Sequence, residues 1–132
     1  APGGINDTLA GLLDLAHTEP LEMGLIGDCS LDVREIARRL GGPVRVWGKV
    51  ERPSRLALVG GSGFDPDRIY EAAYRGADAF LSAELKHHVA ISSPLPCIEA
   101  THYALEAPGM KRLAERMEWE FIDDPPEVTT LP

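Results

Sequence analysis

Leu9, Leu12, Leu13 and Ala16 recur at helical spacing and predict an opening helix, capped by Asn6 or Asp7 and ending before Pro20. His17 then falls near the end of that helix, where a cationic ring opposes the helix dipole. From His17 to Cys29 the residues show no period, and Gly24 and Gly27 suggest a loop or a short extended piece. Val33, Ile36, Ala37 and Leu40 form one apolar stripe, so a second helix is expected, capped by Ser30 and stopped by Gly41-Gly42. Val44 to Trp47 alternates like a half-buried strand, and Glu51 to Ser54 reads as a connection.

Beyond residue 54 the pattern becomes strand, helix, strand, helix. Leu56-Ala57-Leu58-Val59 is a continuous apolar run beside glycines, as expected of a strand buried on both faces of a parallel sheet. Asp65-Pro66 opens a helix carrying Ile69, Ala72 and Ala73 inward to Gly76. Ala79 to Ser82 is a second buried strand, followed by a short helix over Glu84 to Ile91 that Pro94 and Pro96 end. Cys97 to Ala100 is a third strand, Leu105 to Met117 a helix, and Trp119 to Ile122 a fourth strand. The expected fold is therefore α/β, a mostly parallel sheet flanked by helices with right-handed crossovers. The chain divides into a helical and connecting segment (1–54), an α/β core (55–124) and a tail (125–132).

Composition narrows the function classes. A chain of 132 residues with 44% apolar and 26% charged residues is an ordinary globular composition of about one domain. A net charge of −8 opposes a general electrostatic grip on nucleic acid or anionic lipid. Cys29 and Cys97 are too few for a disulfide framework, no apolar window is long enough to span a bilayer, and no leader is evident, so a cytoplasmic protein with no membrane partner is expected. The start at Ala1-Pro2-Gly3-Gly4, without Met, suggests part of something longer.

Ligands of an open parallel sheet bind beyond the carboxyl ends of its strands. Three of the four histidines, His87, His88 and His102, follow predicted strands and gather at that edge. His102 and Glu106 are four positions apart and share a helix face, which suits a divalent ion such as Zn, Mn, Fe or Ni. From spacing alone, a metal pair, an intrahelical hydrogen bond and a solvated pair all stay open. Adjacent His87 and His88 diverge by about 100° on a helix, so one can face the site edge while the other faces water. Gly60-Gly61-Ser62-Gly63 has the look of a phosphate-cradling turn, with Glu84 where a dinucleotide fold keeps its ribose-binding acid. Pro66, however, occupies the place of the third glycine, so a tight strand-to-helix turn is the better reading. Ser62 and Ser82 lie in no GxSxG elbow, which disfavours a serine hydrolase.

With these motifs in view, the chain resembles the C-terminal half of the Nif-three-like family, whose members are named GTP cyclohydrolase 1 type 2 homologs. Pro2 to Ala10 resembles the segment after the family's HTNxD motif, and Leu56 to Gly63 its strand ending in GGxG. Gly76 to His88 resembles its GADxxxTGExxxH block, and Ala100 to Glu106 its GHxxxE block. Ala83 and Thr101 stand where small glycines are usual. The resemblance implies a dinuclear metal site with His102 and Glu106 as ligands, His88 as a site-lining histidine and Glu84 as the acid before it. It also implies further ligands in a missing N-terminal half, before Ala1, and a toroidal homohexamer.

The leading expectation is a metal-dependent hydrolase acting on a phosphoester or nucleotide-like substrate. In it His102 and Glu106 hold metal, and His88, oriented by Glu84, moves a proton. The alternative is a non-enzymatic, metal-stabilised oligomeric scaffold or regulator that binds protein or nucleic acid partners. A third reading is a nucleotide-binding α/β domain built on the glycine turn.

Overall fold

Side chains of three almost wholly buried central strands alternate between two separate apolar cores, one on each side of one sheet. The computed structural model describes residues 4–108. Its elements are α1 (Ile5–Leu12), β1 (Ala16–Pro20), β2 (Leu25–Asp28), α2 (Val33–Leu40), β3 (Arg45–Trp47), β4 (Arg55–Leu58), α3 (Pro66–Tyr74), β5 (Ala79–Ala83), α4 (His87–Ser92) and β6 (Cys97–Ala100). A further helix, α5, opens at 102 and is described to 108. The rest of the helix expected to Met117, the strand expected over Trp119 to Ile122 and the tail lie outside the described residues.

The six strands form one sheet in the order β1-β2-β4-β5-β6-β3. β4, β5 and β6 pair in parallel at its centre, as their uninterrupted apolar runs predict. Antiparallel pairing of β1 with β2, β2 with β4 and β3 with β6 completes the sheet, so the whole is mixed around a parallel centre. The segment before residue 55 thus supplies three strands to the same sheet.

Leu56, Leu58, Leu81, Ala83, Ile98 and Ala100 face α1, α2 and α5, where they meet Leu9, Leu13, Ile36 and Leu105. Ala57, Val59, Phe80 and Cys97 face the other side and pack on Ile69, Ala72 and Val89 of α3 and α4. Each such Leu or Phe contributes about 1.5–3 kcal/mol by leaving water. Among the described residues no helix is long and apolar enough to cross a membrane.

Several helix ends differ from the sequence reading. α1 begins after Gly4 with no side-chain cap and ends at Leu12, and Ala16 starts β1 instead of closing the helix. Asn6 is occupied elsewhere: its Oδ1 accepts a 2.8 Å hydrogen bond from the Gly60 N–H and ties α1 to the glycine turn. Asp32, not Ser30, caps α2 by accepting from the Glu35 N–H, while Gly41 closes the helix in the left-handed region as expected. Asp65 caps α3 with Pro66 at its first turn, as the sequence suggests. His17 is not at a helix end. It lies in the hairpin at a register shift of β1, its Nδ1 2.9 Å from Asp28 Oδ2. The hairpin escapes periodicity because β1 is exposed on both faces and has no apolar alternation to detect.

Candidate functional site

The three parallel strands end on one edge, and the segments leaving them build a small polar cluster. β4 runs into Gly60-Gly61-Ser62-Gly63, β5 into Glu84, and β6 into Thr101 and α5. The glycine turn is held from below by Ser82, the one buried polar residue among those described. The Ser82 hydroxyl oxygen accepts from the Gly63 N–H at 2.8 Å and lies 2.8 Å from the carbonyl oxygens of Val59 and Gly61, to which its hydrogen donates. A Cβ on Gly63 would come within 2.9 Å of this oxygen and press on Val59, so the close approach requires glycine. Fully buried and bonded to three backbone groups, Ser82 serves as a structural brace of the turn.

His102 sits at the start of α5 with both ring nitrogens engaged. Nε2 lies 2.8 Å from Glu106 Oε1, one helical turn on, and Nδ1 lies 3.0 Å from Glu84 Oε1 across from β5. The other oxygen of Glu84 accepts from the Ser62 hydroxyl. A chain of polar contacts therefore runs from the glycine turn through Ser62, Glu84 and His102 to Glu106. Glu84 first and Glu106 second raise the His102 pKa above the ordinary histidine value, because each carboxylate favours the imidazolium. Ser62 first and His102 second lower the pKa of Glu84, whose anion they stabilise. Glu84 adopts φ of 61°, a left-handed conformation unusual for a side-chain-bearing residue and costing about 1–3 kcal/mol. The contacts with Ser62 and His102 hold it there.

Gly61 closes the cluster from the β4 side. Its φ is 83°, and a Cβ there would stand 3.6 Å from His102 Nε2 and 3.8 Å from Glu106 Oε1. The missing side chain leaves open space against the two donor atoms. Beside the cluster lies a cleft of about 320 Å³ lined by Pro43, Arg45, Glu84, Glu99, Thr101 and His102.

The structure brings together three of the four expected site residues: His102, Glu106 and Glu84. It separates His88. That residue is exposed on α4, and among the described residues Glu84 bonds Ser62 and His102 rather than His88. His87 packs against Trp47, ring centroids 5.9 Å apart in an edge-on arrangement. Sequence reading missed Ser62 as a partner of Glu84, and it missed Arg45. Arg45 and Trp47 are two apart in a strand and so share a sheet face, a signal that was available.

A family profile described as Duf34/NIF3 (NGG1p interacting factor 3) matches residues 1–130. The chain belongs to the NIF3 family. Its relatives include proteins named "GTP cyclohydrolase 1 type 2 homolog". The one from Streptomyces coelicolor is 35% identical, with 92% of this chain and 53% of the relative covered. The one from Methanocaldococcus jannaschii is 32% identical, with 85% and 50% covered. The chain thus spans about half the length of these curated relatives. Among solved structures, the protein ybgI, described as of unknown function, superposes with a TM-score of 0.78 at 28% identity, covering 96% of this chain and 58% of that one. Reduced HcgD from Methanocaldococcus jannaschii gives 0.77 at 27% identity, covering 89% and 52%. The NIF3 resemblance read from the sequence blocks and the α/β fold are both upheld.

Proposed function

We propose that His102 and Glu106 are two ligands of a divalent-metal centre in a NIF3-family protein that hydrolyses a phosphoester or nucleotide-like substrate. The observation carrying this reading is the convergence of His102 Nε2 and Glu106 Oε1, 2.8 Å apart, against the open face of Gly61 at the carboxyl edge of the parallel strands. An imidazole nitrogen and a carboxylate oxygen suit Zn, Mn, Fe or Ni. Among the described residues no three His, Cys, Asp or Glu side chains are arranged to hold a metal ion, so in this reading the described residues supply a pair of donors. In this reading the remaining ligands come from other parts of the full protein, whose relatives are about twice as long, and the homohexamer implied by the family resemblance belongs to it as well.

A divalent cation, when bound, supplies Lewis acidity that acidifies water and polarises a phosphoryl oxygen. The chain's own residues do the rest. Glu84 accepts the Nδ1 proton of His102, which fixes the ring tautomer and turns Nε2 toward the cation position. Ser62 holds Glu84 in its strained conformation while it does so. His102 gives up its Nε2 proton when it ligates, so affinity rises with pH. His88, exposed on α4 and without a hydrogen bond to Glu84, carries no step of this reading.

The test is metal analysis of the full protein with and without His102→Ala, followed by a phosphoester and nucleotide screen with added Mn, Zn or Fe. Unchanged metal stoichiometry in the variant removes His102 from the centre. Turnover indifferent to chelator overturns the hydrolase mechanism, and bound metal without turnover on any substrate favours the scaffold reading.

A further inference from the structure

Among the described residues Arg45 is the one arginine or lysine lining the cleft beside His102, and its environment differs from that of an ordinary surface arginine. Arg45 lies opposite Glu99 in the β3–β6 register, an arrangement that favours a cross-strand ion pair. The equivalent pair across β2 and β4, Asp28 and Arg55, closes to a 2.8 Å hydrogen bond. Arg45 and Glu99 form only a loose ion pair, without a hydrogen bond. Their nearest approach is 3.8 Å, and the Arg45 side chain is 71% exposed. Glu99 directs its other oxygen to the Leu85 N–H at 2.8 Å, in the turn that follows Glu84.

Arg45 is held in another way. Its guanidinium carbon lies 5.4 Å from the Trp47 ring centroid, a cation–π distance, and Trp47 is braced in turn by the edge of His87. The ring covers one side of the guanidinium, and the N–H donors not turned toward Glu99 stay open to a ligand. Arg38, Arg39, Arg55, Arg68 and Arg75 each donate to a carboxylate, whereas Arg45 makes no hydrogen bond to an acceptor among the described residues. Arg34 and Arg52 also lack such bonds, but none of the candidate site residues lines their cleft. Thr101 adds a second donor: its hydroxyl oxygen accepts from the Ala104 N–H, leaving its own hydrogen for a ligand in the cleft. The two carboxylates of the cleft are engaged, Glu84 with Ser62 and His102, Glu99 with Leu85.

We propose that Arg45, stacked on Trp47 and seconded by Thr101, is the anchor for the phosphate group of a substrate lying in the cleft beside His102. This rests on the metal-hydrolase reading for its location and adds the substrate determinant that reading lacks. Bidentate Arg–phosphate pairing sets the orientation of the ligand as well as its affinity.

The experiment is a titration of the full protein, loaded with Mn(II), with inorganic phosphate, comparing it with Arg45→Ala and Arg45→Lys. Arg45→Ala is expected to weaken phosphate binding at least tenfold with Mn content and melting temperature unchanged, and Arg45→Lys to recover part of the affinity. In the unsubstituted protein loaded instead with diamagnetic Zn(II), phosphate should shift the Arg45 Nε–H and Thr101 amide NMR signals. No measurable phosphate binding, equal affinity in Arg45→Ala, or unmoved signals would overturn the anchor. The two readings separate cleanly. Arg45-dependent phosphate binding in a protein that retains no metal sinks the metal centre and keeps the anchor, whereas metal held by His102 with phosphate affinity indifferent to Arg45 does the reverse.

Discussion

His102 Nδ1 lies 3.0 Å from Glu84 Oε1, joining the ends of two neighbouring parallel strands through one hydrogen bond. Residues 18 positions apart in the chain thereby act as a unit: the acid after β5 sets the direction and protonation of the imidazole after β6.

Glu84→Gln should lower the His102 pKa toward the ordinary histidine value, since Glu84 is the larger cause of its elevation. The folded-state pKa is raised, so the stabilisation from this contact is fully present below the unfolded value of 6.5 and fades as pH rises through the folded value. NMR titration of the His102 ring in metal-free protein measures the shift. An unchanged titration in the variant would show that Glu84 does not control the ring.

Ser82→Ala removes the acceptor of the Gly63 N–H and the donor to Val59 and Gly61 inside a buried turn. The loss should be about 1–3 kcal/mol, the range for stranding a buried backbone group. Urea unfolding gives the number, and a change below a few tenths would mean that water or a backbone shift replaces the hydroxyl.

Gly63→Ala places a methyl group against Val59 and 2.9 Å from the Ser82 oxygen. Overpacking of this kind costs about 1–3 kcal/mol. Gly76→Ala meets nothing within 4 Å but sits at φ of 95°, so it serves as the comparison for backbone strain without crowding. Chemical denaturation of both variants separates the two effects.

Acid should weaken the hairpin edge of the sheet. His17 first and Arg55 second lower the Asp28 pKa below 3.8. A depressed carboxylate stabilises above its unfolded pKa and loses that contribution as pH falls through the folded value. Asp28→Asn should flatten this part of the acid limb, and stability curves between pH 2 and 6 would reveal it. Identical acid limbs would mean that these exposed charges are screened to nothing.

How much of this was legible depended on burial. Leu56 to Val59 and Ala79 to Ser82 are apolar on both faces because helices cover both sides of the sheet, so their composition alone announced parallel central strands. The α2 stripe and the Asp65-Pro66 start were equally plain, since capping and periodicity are local. β1 was invisible because all five of its residues are exposed and it is ordered by pairing with β2. The expected Asn6 cap of α1 is absent because its competing partner, Gly60, lies far away in sequence, whereas the α2 cap moves only two residues, to Asp32.

The site divides along the same line. That His102 and Glu106 share a helix face follows from their spacing of four, which helical geometry imposes wherever the segment lies. That Glu84 turns to His102 rather than to His88, that Ser62 reaches Glu84, and that Arg45 stacks on Trp47 beside the same cleft depends on which strands are neighbours and where each one ends. Those relations arise from hydrogen-bonded register between distant segments, and one-dimensional spacing does not encode them.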